Sequence, residues 1–474
     1  MTPPPPLPDG VGVERTSRLR RDPVWAGWGA AGLIALSVIV AVLQVVRDKG
    51  VEAAVTTPGA GATERLEAEV GARYIVGMNA VFGPMLESAG QPKQAWLAPL
   101  EAAAQSPRQE LELKILRREL GVLEKAGIAN AMRLMLSDES RRDWETWDAI
   151  QSSPSEAGAP LVVGEAERQR FEERYGWFAR LALSHGLPAD DELRTSVIGQ
   201  ARRTFFGTLL LIFGVFGGLA LGCVLGFLAV VRFATGRSAW RFSQIDRPVV
   251  VATGGSVWLE TFAVYLTVMV LGGALADFLP ADWAPWPQAV AFLGSAALGL
   301  WWPAMRGLTR GDRCAGFGWH GGSGVGREVV AGLVGYVAGL PIIAMGVGLT
   351  LFLTLMTKAD ASHPLNHLTG VPVPMLVLLA MLASVWAPVV EELFFRGAFY
   401  AAWRQRWGRW FSGLATGVIF AAVHPQGWTA IPALGAVGLV LALLREWRGT
   451  IVAPITAHAL NNGTLFLMML VILR

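Results

Sequence analysis

Residues 373–401 read VPMLVLLAMLASVWAPVVEELFFRGAFYA, a nearly continuous apolar run broken by two carboxylates, Glu391 and Glu392, and one guanidinium, Arg396. A helix needs about 20 apolar residues to cross a bilayer core, so the run fits a membrane span. Charge at that depth costs about 2.5–3.5 kcal/mol per residue on insertion scales and usually marks function. Glu392 and Arg396 are four apart, share a helix face and can pair. Glu391 is turned about 100° away from that face, which leaves it the freer carboxylate. Such a group suits a general base working near neutral pH. Pro388 removes the bond to the Ser384 carbonyl, a break tolerated where backbone faces protein or a water-filled cavity.

Outward from this segment, apolar runs alternate with short loops. Spans are expected near 205–231, 253–277, 286–304, 328–356, 373–401, 409–424, 431–445 and 450–472. Loops assigned to the cytoplasm carry Arg232, Arg237, Arg241 and Arg247; then Arg306, Arg310, Arg313 and Arg327; then Arg404, Arg406 and Arg409; then Arg445 and Arg448. Loops assigned outside, near 278–285, 357–372 and 425–430, carry one basic residue, Lys358. This asymmetry is what the positive-inside rule demands.

The N-terminal part differs. Residues 1–23 form a Pro-rich tail with a basic patch, Arg15, Arg18, Arg20 and Arg21, read as disordered and cytoplasmic. Residues 24–46 are apolar and too long for the roughly 7–15-residue core of a signal peptide, so they read as an uncleaved signal anchor. Residues 47–203 then lie outside the cytoplasm. Residues 51–200 hold 23 Asp and Glu against ten in 201–474, so a water-facing block precedes a lipid-facing one. Within it, Ser106-Pro107-Arg108-Gln109 predicts a capped helix start, Leu113, Leu116, Leu120 and Leu123 follow at helical spacing, and Gly127 is the expected end. The expected fold is all-α: a polytopic bundle of about nine spans, with an extracytoplasmic helical insertion after the first and the C-terminus outside. A net charge of +3 spread over loop arginines gives no nucleic-acid surface. Cys223 and Cys314 lie outside the water-facing block, so no disulfide framework exists there.

Two more polar sites interrupt the spans. His424 precedes Pro425, and a residue before proline is biased out of helix, so the helix from Arg409 is expected to end there, short of a full crossing. His458 and Asn462 are four apart on one face of the last span, a turn after Pro454. At about 1.5 Å rise per residue, Glu391 lies roughly 20 Å from Arg404, His424 roughly 22 Å from Arg409, and His458 roughly 15 Å from Arg448. Three helices thus bring polar groups to a similar depth. A carboxylate, two imidazoles and an amide suit attack of water on a carbonyl, with Glu391 taking the proton and imidazole and amide donors holding the oxyanion.

These motifs, Glu-Glu-x-x-x-Arg (391–396), Phe-x-x-x-His (420–424) and His-x-x-x-Asn (458–462), resemble those of the CAAX-protease and bacteriocin-processing family, also called the abortive-infection family. Its members include type II CAAX prenyl endopeptidases. The resemblance covers about residues 250–474 of the membrane bundle at 204–474. It implies an intramembrane protease in which Glu391 and His424 activate water, His458 and Asn462 bind the oxyanion, and Glu392 and Arg396 support the site. The N-terminal anchor and outside domain are not required by the family core.

Three functions are therefore weighed. The first is a metal-independent, glutamate-type intramembrane endopeptidase of the cell membrane that needs no cofactor and acts on a peptide or protein, lipidated or membrane-associated. The second is a zinc metalloprotease whose ion is held by Glu391, His424 and His458. The third is a non-enzymatic scaffold or immunity-type protein presenting residues 47–203 to a partner.

Overall fold

The computed structural model describes residues 28–41, 60–122, 137–152, 163–235, 256–276, 278–279, 286–357, 373–424 and 426–473. Among these the regular elements are all helical. The tail expected at 1–23 lies outside them.

The chain divides into two compact units. The first, residues 56–215 with 467–474, holds a helical domain. Its elements are α2 (Ala60–Ser88), α3 (Lys93–Ala103), α4 (Pro107–Leu120), α5 (Asp138–Ser152), α6 (Glu165–Tyr175), α7 (Trp177–Ser184) and the start of α8 (Glu192–Ala234). Leu111, Ile115, Trp147, Phe171, Phe178 and Leu181 form its core. The capping box is present: the Gln109 amide N–H donates to Ser106 Oγ at 3.3 Å, and the Ser106 N–H donates to Gln109 Oε1 at 3.0 Å. The helix ends earlier than expected, because Gly121 takes the left-handed conformation, φ 67°; Gly127 is outside the described residues. Glu119 is buried, which raises its carboxyl, but hydrogen bonds from His185 and Arg194 outweigh burial and hold it below the usual range.

The boundary expected at residue 203 falls inside one helix. α8 runs unbroken from Glu192 through the apolar stretch to Ala234. Hydropathy changes along it, but no Pro or capping signal stops it, so the backbone continues.

The second unit, residues 1–55 and 216–466, holds the remaining helices. They are α1 (Trp28–Ala41), α9 (Ser256–Ala276), α10 (Trp286–Met305), α11 (Arg310–Phe317), α12 (Val325–Thr357), α13 (Pro374–Arg404), α14 (Arg409–Ala422), α15 (Ile431–Arg448) and α16 (Val452–Leu473) as far as residue 466. Among the described residues five helices are long and apolar enough to cross a membrane: Glu192–Arg232, Ser256–Leu275, Val325–Thr357, Pro374–Arg404 and Trp428–Arg448. The chain is a membrane protein on this count. α14 has 14 residues, less than a crossing, as the His424-Pro425 pair leads one to expect.

Glycine lets backbones meet where the site is built. A Cβ at Gly417 of α14 would stand 2.5 Å from the Gly435 carbonyl oxygen of α15, and one at Gly438 would stand 2.6 Å from Gly417 Cα. Small residues at such crossings let helices approach closely when lipid gives them no hydrophobic drive to associate. The close crossing brings the Gly438 carbonyl within reach of α13. Aromatic rings fill the other side, where Phe262 and Tyr265 of α9 pack on Phe394, Phe395 and Phe399.

Candidate active site

α13 is not a uniform helix. Leu382–Trp386 and Leu393–Phe399 are π-helical, flanking an α-helical turn at Ala387–Glu392 that carries both carboxylates. π-turns are rare and often sit at functional sites. In the first of them the Ala387 N–H donates to the Leu382 carbonyl, five residues back. By that register the missing N–H of Pro388 frees the Ala383 carbonyl, rather than that of Ser384 expected from α-helical spacing. Asn462 Nδ2 donates to the Ala383 oxygen at 2.9 Å.

Glu392 and Arg396 pair as their spacing predicts. Arg396 Nη1 donates to Glu392 Oε1 at 2.7 Å, with both side chains fully buried. Arg396 Nη2 donates to the Gly438 carbonyl at 3.0 Å, and its guanidinium carbon lies 4.8 Å from the centroid of the Phe420 ring. The pair also reaches a third helix: His458 Nδ1 lies 2.8 Å from the same Glu392 oxygen. This contact joins two motifs and is invisible to spacing along one chain segment.

Glu391 faces differently, and its Oε2 is buried without a hydrogen-bond partner. It lies 3.9 Å from His424 Nε2 and 3.8 Å from His458 Nε2. Both gaps exceed a direct hydrogen bond and have the length that one intervening water can bridge. The ring orientations follow from the other nitrogens. His424 Nδ1 stands 2.6 Å from the Phe420 carbonyl, which can only accept, so Nδ1 carries the proton. His458 Nδ1 donates to Glu392 by the same logic. Both rings therefore turn Nε2 toward Glu391. Phe420 holds them in place, its centroid 4.3 Å from that of His424 and 5.6 Å from that of His458.

The four residues singled out from the sequence are thus divided by the structure. Glu391, His424 and His458 converge. Asn462 has its amide engaged, donating to Ala383 and accepting from Asn461 Nδ2 at 3.1 Å. Asn461 in turn accepts from the Tyr336 hydroxyl at 3.2 Å. This relay was not read from the sequence, although the tandem Asn461-Asn462 was its available signal. Among the described residues no group of three His, Cys, Asp or Glu side chains is arranged to hold a metal ion.

Residues 373–464 match the family described as "Type II CAAX prenyl endopeptidase Rce1-like", in agreement with the resemblance carried by the motifs. Over 100 residues the chain is 31% identical to an Escherichia coli protein described as an "Uncharacterized 24.3 kDa protein", covering 20% of this chain and 46% of that protein. The chain therefore spans less than half the length of that relative. No solved structure matches. The match places the likeness to CAAX-type membrane peptidases in residues 373–464, the segment that carries Glu391, His424, His458 and Asn462.

Proposed function

We propose that the chain is a glutamate-type intramembrane endopeptidase of the cell membrane that hydrolyses a peptide bond in a lipidated or membrane-associated protein or peptide. The observation that carries this reading is the unpartnered Glu391 Oε2, set between the Nε2 atoms of His424 and His458. A water held there gives its proton to Glu391 as its oxygen attacks the scissile carbonyl. His424, whose Nε2 lone pair faces the same point, orients that water.

His458 takes the other role because Glu392 fixes its ring through Nδ1, which leaves Nε2 facing the place where the oxyanion develops. Asn462 keeps one amide hydrogen beyond its bond to Ala383 and supplies the second donor. Collapse of the tetrahedral intermediate breaks the C–N bond, and the proton taken by Glu391 passes to the leaving amine.

The topology belongs to the same reading: nine spans, a cytoplasmic N-terminus and residues 47–203 outside. Its support is the arginine asymmetry between loops. Ser152 is exposed at the end of α5. In a variant lacking Cys223 and Cys314, Ser152→Cys is expected to react with a membrane-impermeant maleimide in intact cells. Reaction only after lysis contradicts the assignment.

The zinc reading uses the same three groups. Two ligands of a tetrahedral zinc stand about 3.4 Å apart at normal bond lengths, so Glu391 and the imidazoles would have to close in. The two readings separate in detergent solution. The glutamate mechanism predicts full activity in excess chelator and no stoichiometric zinc. Activity lost on chelation and restored by zinc favours the metalloprotease. A protein with intact fold and no peptidase activity, in membranes or in detergent, favours the scaffold instead.

A further inference from the structure

Tyr265 on α9 is wholly buried. Its ring lies flat on that of Phe394, centroids 4.0 Å apart and planes 5° from parallel, and meets Phe395 edge-on at 6.5 Å. A phenylalanine would stack as well. What tyrosine adds is a hydroxyl, and that hydroxyl is buried with no hydrogen-bond partner. Buried tyrosine hydroxyls normally find partners. Those of Tyr175, Tyr336 and Tyr400 do so in this chain, on Asp143, Asn461 and Glu446. An unpartnered hydroxyl in an apolar setting is costly, so its retention points to a ligand.

The place of this hydroxyl identifies the ligand. Phe394 is three residues after Glu391 on α13, so the face that receives Tyr265 is the face that carries Glu391. Glu391 is thus about one helical turn from the ring that Tyr265 covers. Its Oε2 is likewise buried without a partner. A donor and an anionic acceptor, both unsatisfied and beyond direct contact, fit a water between them. Gly299 of α10 keeps the stack in position, because a Cβ there would stand 2.4 Å from Phe394 and 3.2 Å from Tyr265 Cβ.

We propose that Tyr265 is a positioning residue of the site, whose hydroxyl donates to the water that Glu391 deprotonates and aims its lone pair at the scissile carbonyl. This rests on the peptidase reading above. A hydroxyl acting in this way affects the chemical step and leaves substrate binding alone.

The test uses Tyr265→Phe, which keeps the stack, beside Glu391→Gln and wild type. The substrate is a synthetic peptide spanning a cut site mapped from termini that wild-type membranes generate and Glu391→Gln membranes do not. Tyr265→Phe is expected to lower kcat about 10- to 100-fold, the effect of one hydrogen bond near a charged group, with KM and melting temperature unchanged. Unchanged kcat overturns the proposal while leaving the peptidase reading intact. A fall in melting temperature that accounts for the lost activity also overturns it, by making the role structural. If Glu391→Gln generates the same termini as wild type, the peptidase reading fails and this one with it.

Discussion

Replacing Glu391 by Gln is expected to lower turnover by at least about 10²- to 10⁴-fold, the range of general acid–base catalysis, with a melting temperature in detergent close to wild type. Glutamine keeps the size and shape of the side chain but cannot accept the proton of an attacking water. The fold has little to lose from the change. Glu391 Oε2 has no hydrogen-bond partner, and the imidazoles nearest it stand at 3.8 and 3.9 Å. A strongly destabilised Glu391→Gln would mean that this carboxylate serves as a structural counter-charge instead.

Glu392→Gln is expected to behave in the opposite way. Glu392 Oε1 binds Arg396 at 2.7 Å and His458 at 2.8 Å, and all three side chains are buried. Neutralising it leaves the Arg396 guanidinium without its counter-charge, and removing one partner of a buried pair costs roughly 3–5 kcal/mol. Lower melting temperature and yield should therefore accompany lost activity. Glu392→Gln combined with Arg396→Met should recover part of the stability, since no lone charge then remains. Recovery is only partial because the Gly438 carbonyl loses the donor that Arg396 supplies. Activity should not return, because His458 still lacks the anionic partner that holds its ring. If Glu392→Gln folds like wild type and is merely inactive while Glu391→Gln unfolds, the two glutamates have exchanged roles.

The parts legible in the sequence are those set by local geometry. The Glu392–Arg396 pair follows from spacing four on a helix, and it forms as such. The convergence of Glu391, His424 and His458 follows from similar depth on three helices, and the structure brings both imidazoles within 4 Å of Glu391. The capping box at Ser106 is equally local. What could not be read depends on packing or on backbone register. The bond from His458 to Glu392 joins two distant segments. The π-turns of α13 shift the freed carbonyl from Ser384 to Ala383, and no side-chain pattern announces a π-turn. The end of that helix at Gly121 depends on its left-handed backbone angle, which a glycine in the sequence does not announce by itself. Tyr265 is not legible in the sequence because one hydroxyl in an apolar run carries no signal until its neighbours are known.

The claim that Glu391 activates water for peptide hydrolysis is tested most directly by sequencing new peptide termini in membranes that hold equal amounts of wild type or Glu391→Gln. The account predicts a defined set of termini present with wild type and absent with the variant. Identical termini in both would contradict it and leave the chain a membrane scaffold with the look of a peptidase.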